Sequence, residues 1–78
     1  MFEFIETPFF TSAVSNYLSD EEYAELQVHL IAYPNAGAVV PGSGGVRKLR
    51  WRGSGRRKRG GLRVIYFLRL SRSEIWML

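Results

Sequence analysis

Four basic residues are spaced so that they can act together on a phosphate group. Lys48, Arg50 and Arg52 occupy every second position of one segment, which would place them on one side of a β-strand at steps of about 7 Å. Arg63 begins the next apolar segment and joins them if the two segments pair as an antiparallel hairpin. Arginines can hold a phosphate with paired hydrogen bonds and stabilise charge that builds up on phosphorus. Because neighbouring cations favour a neutral amine, Lys48 is the candidate for proton transfer.

The same cluster has a simpler interpretation, which is electrostatic binding without any reaction. Nine of the eleven Lys and Arg residues of the chain lie between Arg47 and Arg63, more than the protection of a strand edge requires. Each contact between such a cation and a nucleic-acid phosphate releases a condensed counterion. The sequence therefore predicts phosphate or nucleic-acid binding and leaves the chemistry open.

Charge is divided unequally between the two halves of the chain. Residues 1–45 carry six carboxylates and no Lys or Arg, whereas residues 46–78 carry all eleven basic residues and one acidic residue, Glu74. This asymmetry predicts a polyanionic partner for the basic half. A negatively charged protein could also cover that surface.

Composition argues against several other kinds of site. The chain has no cysteine, which removes disulfides and thiolate metal ligands. Its only histidine, His29, lies beside an apolar stripe and is expected to be structural, so a histidine-pair nuclease is excluded. Gly53-Ser54-Gly55 lacks the further residues of a nucleotide-binding loop. We therefore predict no metal and no cofactor. Without a signal peptide or an apolar run of about 20 residues, a cytoplasmic location is expected.

A short series of elements must position the basic cluster. Ser19 followed by Glu22 is a capping box that begins a helix, and Thr7 before Pro8 begins an earlier one. The predicted elements are a strand at 2–6, helices after Thr7 and after Ser19, an extended piece at 39–40, and strands at 46–52, 62–70 and 75–78. We expect one domain over residues 1–78, with the two helices packed on a sheet.

Aromatic residues of these strands are candidates for stacking on bases. Strand aromatics more often belong to the core, and we predict that role for Phe67 and Trp76. For Trp51 and Tyr66 both roles stay open.

Five segments cover nearly the whole chain in a distinctive order. They are LSDEEY at 18–23, PGSGG at 41–45, RKLRW at 47–51, GRRKRGG at 55–61 and RVIYF at 63–67. Together they resemble the RelE/ParE superfamily of bacterial toxins, and most closely its HigB branch. The resemblance implies an α+β fold in which a small, twisted, mostly antiparallel sheet carries two N-terminal helices on one face.

The resemblance also implies a function. It points to the toxin of a type II toxin–antitoxin system, a ribosome-dependent endoribonuclease that cuts mRNA and inhibits translation. In such enzymes the ribose 2′-hydroxyl attacks the neighbouring phosphate, and protein cations replace a histidine pair. The catalytic positions of the family correspond here to Lys48, Arg50, Arg52 and Arg63. The implied partners are a cognate antitoxin, mRNA and the ribosome, with no membrane and no small-molecule cofactor.

A further set of residues is assigned to RNA binding. The set consists of Arg47, Arg56, Arg57, Lys58, Arg59 and Tyr66. Members of the family continue past the strand at 75–78 into another segment and a final helix, so we expect a C-terminally short form. Two alternatives remain, a non-catalytic module that holds RNA, ribosome or antitoxin, and a ParE-like gyrase inhibitor. The dense cations favour RNA over gyrase.

Overall fold

The fold is one five-stranded sheet with two helices, seen in a computed structural model that describes residues 1–52 and 61–78. Its elements are β1 (Glu3–Glu6), α1 (Pro8–Val14), α2 (Asp20–Ala32), β2 (Ala38–Val39), β3 (Val46–Trp51), β4 (Leu62–Arg69), a 3₁₀ turn (Leu70–Arg72) and β5 (Glu74–Met77). The strand order is β1-β5-β4-β3-β2. Only the β1–β5 pair is parallel among these strands. The predicted α+β fold with a mostly antiparallel sheet is confirmed.

Both helices begin at the predicted caps. The Thr7 hydroxyl accepts a hydrogen bond from the Phe10 amide at 3.2 Å. Ser19 and Glu22 form a reciprocal capping box: the Ser19 Oγ accepts from the Glu22 amide at 3.1 Å, and the Ser19 amide donates to the Glu22 carboxylate at 2.8 Å. These bonds satisfy amides that have no partner inside the helix. The start of each helix is therefore set by neighbouring residues.

Removal of this cap should cost measurable stability. We expect Ser19→Ala to lower the free energy of unfolding by about 1 kcal/mol, because the Glu22 amide loses its acceptor. Urea unfolding followed by circular dichroism measures the change. Ser71→Ala is the control, since Ser71 is exposed and lies outside the helix caps. Equal changes in the free energy of unfolding for the two variants would show that the capping box does not stabilise the protein.

Alternation along the strands gives the sheet two different faces. The face toward the helices supplies Leu49, Val64, Tyr66, Ile75 and Met77 to a core shared with α2. Its fully or nearly buried members are Leu18, Leu26, Leu30, Val64, Tyr66, Ile75 and Met77.

No helix that crosses a membrane is present in the described ranges, because none there is long and apolar enough.

The other face, called the open face below, lies opposite the two helices. The strand register places on it Glu3 and Ile5 of β1, Val46, Lys48 and Arg50 of β3, Arg63, Ile65, Phe67 and Arg69 of β4, and Glu74 and Trp76 of β5. Of residues 1–52 and 61–78, no helix or strand packs over it. The core role predicted for Phe67 and Trp76 is therefore wrong: both are partly exposed on this face, because inward Tyr66 and Met77 force their neighbours outward.

A partly buried carboxylate, that of Glu6, joins the two helices to β1. The Glu6 side chain accepts hydrogen bonds from the Thr11 hydroxyl at 2.7 Å and from the Tyr23 hydroxyl at 2.8 Å. Burial and this bond to Glu6 raise the pKa of the Tyr23 hydroxyl above its usual value. Tyr23 therefore stays a neutral donor, and α1 and α2 are held on the side of the sheet away from the open face.

Candidate nucleic-acid interface

Three of the four predicted catalytic residues line one small pocket on the open face. Lys48, Arg50 and Arg63 surround a volume of about 180 Å³ together with Ala38 and Leu49. Arg50 and Arg63 are direct partners in the β3–β4 register, and Lys48 lies one step further along the same side of β3. An antiparallel pairing thus brings together cations that are 13 and 15 positions apart in the sequence.

These cations are available to a ligand. Lys48, Arg50, Arg52 and Arg63 are all exposed. Within residues 1–52 and 61–78, none of the four side chains forms an ion pair or hydrogen bond with another described residue. Like charges gathered in one place repel one another. A bound polyanion would relieve this repulsion, and the pocket is consequently suited to a phosphate group.

Arg52 joins the row without lining the pocket. Gly61, just before β4, adopts a positive φ of 81°. A Cβ atom at this position would lie 2.8 Å from the Arg50 Cγ and 3.0 Å from the Arg52 Cγ. Glycine therefore leaves space for the two arginine stems to pass side by side. The sequence predicts only a turn at Gly61. The contact between Gly61 and the two arginines depends on how β3 and β4 pair.

Two residues assigned to RNA binding instead hold a turn on the helix side of the sheet. Arg47 and Tyr66 are register partners there. The Tyr66 hydroxyl donates to the Pro34 carbonyl at 2.8 Å and accepts from the Gly37 amide at 2.9 Å. The Arg47 guanidinium donates to the carbonyls of Gly37 at 2.6 Å and Asn35 at 3.3 Å. The RNA-binding prediction for Tyr66 is corrected, because Tyr66 is completely buried. Arg47 is half-buried and lies on the side of β3 away from the pocket.

Trp51 also lies on the helix side. Its ring centroid is 4.9 Å from that of His29, which is in turn 5.3 Å from that of Tyr33. His29 is partly buried between its neighbours, which agrees with the structural role predicted for it. Trp51 therefore supports the packing of α2 against β3.

Four of the residues assigned to RNA binding lie outside the described residues. They are Arg56, Arg57, Lys58 and Arg59. Among residues 1–52 and 61–78, no group of three His, Asp or Glu side chains is placed to hold a metal ion. No protein-family model matches the chain. The resemblance to the RelE/ParE superfamily accordingly rests on the sequence segments and the site on its own geometry.

Proposed function

We propose that this chain is the toxin of a type II toxin–antitoxin pair and cleaves mRNA on the ribosome. The observation that supports the proposal best is the pocket shared by Lys48, Arg50 and Arg63 on the open face. One lysine amine and two guanidinium groups line it, and no described carboxylate does. This charge pattern favours a phosphodiester over a neutral or cationic ligand.

The roles of the three side chains follow from their chemistry. Of the described residues that line the pocket, only Lys48 can take up and release a proton, because arginine stays protonated in proteins. We assign Lys48 as the base that removes the proton of the ribose 2′-hydroxyl. Arg50 and Arg63 then stabilise the negative charge that develops on the phosphate oxygens.

Atoms balance in the resulting step without a cofactor. The 2′-oxygen loses its proton to Lys48 and forms a bond to phosphorus, while the bond from phosphorus to the 5′-oxygen breaks. The leaving 5′-oxygen takes a proton from water, and the hydroxide that remains takes up the proton that Lys48 removed, which restores the base. The products are a 2′,3′-cyclic phosphate on one fragment and a 5′-hydroxyl on the other.

Partners follow from the same charge distribution. In the sequence, Arg52 and the basic residues 56–59 lie between Arg50 and Arg63 and add to the positive charge of this segment. The phosphates of mRNA and ribosomal RNA are therefore the proposed contacts. A cognate antitoxin would neutralise this surface with carboxylates. This activity places the chain in the cytoplasm, where ribosomes translate.

Cleavage on programmed ribosomes tests the proposal. We expect the chain to cut mRNA inside codons only when ribosomes are present, with cyclic phosphate ends that RNA end mapping detects. Lys48→Arg keeps a cation at this position but removes the group that can act as a base, because arginine stays protonated in proteins. It should bind ribosomes with unchanged affinity and cut about 100-fold more slowly or worse. If the unmodified chain binds ribosomes but leaves the mRNA intact, the protein is a binding module and the proposal is wrong.

A further inference from the structure

The cationic pocket continues along the open face into a patch of aromatic side chains. Phe67 lies four residues beyond Arg63 on β4, on the same side of the strand and about 13 Å away. Its partner across β4 and β5 is Trp76. We call Phe67 and Trp76 the aromatic pair. Ile65 lies between the pair and the pocket, so the path from the cations to the rings is apolar.

We propose that the aromatic pair stacks unpaired bases of the RNA strand whose backbone is held at the pocket. This inference rests on the proposed function and adds a second contact region to it. Phosphate-binding cations next to partly exposed aromatic rings form the combination that binds single-stranded nucleic acid, because every base has a face that can stack. A duplex would keep its bases inside and could not use the rings.

Both rings are held in place before any ligand binds. The Trp76 indole Nε1 donates a hydrogen bond to the Glu74 carboxylate at 3.1 Å. Phe67 packs against Gly45, where a Cβ atom would lie only 3.3 Å from the ring. Gly45 has a φ of 114°, a conformation that other residues rarely adopt. Little side-chain entropy is therefore lost when a base stacks on the pair.

Charge also defines where the RNA path ends. Glu3 and Glu74 are register partners on the open face at its β1–β5 side. These two carboxylates outnumber the one cation beside them, Arg69, which is the partner of Glu74 in the β4–β5 register. Phosphates are therefore attracted less at this side than beside Lys48 and Arg63 at the other end. The backbone is therefore held near the pocket, and the bases extend toward the aromatic pair.

Two single-stranded probes separate stacking from phosphate binding. One is a fluorescein-labelled oligoribonucleotide, and the other is an abasic strand of equal length, each titrated by anisotropy. We expect Phe67→Leu and Trp76→Leu to weaken binding of the first about tenfold and to leave binding of the abasic strand unchanged. The matched control is Tyr33→Leu, because Tyr33 is an exposed aromatic residue beside His29 on the helix side of the sheet. It should change neither affinity.

Fluorescence gives a second readout that does not depend on the folding of those variants. The chain has two tryptophans, so Trp51→Phe makes Trp76 the only reporter. We expect the oligoribonucleotide to quench this emission and the abasic strand to leave it unchanged. Absent or equal quenching by the two probes would overturn the stacking proposal. If the unmodified chain fails to bind the abasic strand, the phosphate-binding basis of the proposed function fails instead.

Discussion

Arg63→Ala should slow mRNA cleavage by about 100- to 1,000-fold, the range seen when a single stabilising donor is removed from a reacting centre. Arg63 faces its partner Arg50 across the pocket, so alanine leaves the developing phosphate charge with one guanidinium fewer. The folded state should hardly change, because the Arg63 side chain is exposed and has no partner among the described residues. Mapping of RNA ends on programmed ribosomes measures the rate, and thermal unfolding measures the stability.

Arg69→Ala provides the matched control. Arg69 is an exposed arginine on the same strand and the same face, six residues from Arg63 and about 20 Å away. Its removal subtracts the same charge from the chain but none from the pocket, so cleavage should stay within a few-fold of the unmodified rate. Equal losses in the two variants would reduce the effect to net charge and contradict a catalytic role for Arg63. A large drop in Tm for Arg63→Ala would make that residue structural.

Tyr66→Phe should produce the largest loss of stability among the conservative substitutions. The change removes one hydroxyl that binds both the Pro34 carbonyl and the Gly37 amide. Gly37 is buried, so its amide would lose its acceptor without gaining water. Such a buried unpaired group costs about 1–3 kcal/mol. For a domain of this size each kcal/mol lowers Tm by about 4–8 °C, which calorimetry resolves easily.

Tyr17→Phe is the comparison for this effect, because Tyr17 is 56% exposed on the helix side. It should shift Tm by no more than about 2 °C. At temperatures well below its Tm, the Tyr66→Phe variant should bind RNA as the unmodified chain does, because the buried ring at this position cannot contact a ligand. Unchanged stability with weakened RNA binding would restore the base-stacking role first assigned to Tyr66.

Residues of β3 show how far a sequence pattern predicts a site. The period of two in a strand places Lys48, Arg50 and Arg52 on one side and Leu49 and Trp51 on the other, as the structure has it. The same rule places Arg47 with the apolar row. Its assignment to RNA binding followed from its charge, and the hydrogen bonds to the turn at 35–37 show the opposite orientation.

β4 shows where such patterns give no answer. Residues 62–70 are almost continuously apolar, so alternation does not reveal which of Tyr66 and Phe67 faces the core. Packing decides it: Tyr66 lies under the helices and reaches the turn at 34–37, and Phe67 is left on the open face. The sequence therefore predicted the strand correctly, but the core role predicted for Phe67 is wrong, and Tyr66, for which both roles were open, is buried.

Some features depend only on residues a few positions apart: the helix caps, the turns, and the side of β3 on which each cation lies. The local geometry of the chain is enough to determine them, without long-range contacts. The pocket itself depends on pairing Arg50 with Arg63 and on the helices covering one face only. Those outcomes depend on burial of apolar surface between segments that are distant in the sequence. Several strand registers compete for this burial, and no local sequence pattern shows which register is adopted. The charge pattern of the sequence predicts a phosphate ligand, whereas packing of the helices decides which face of the sheet is left open.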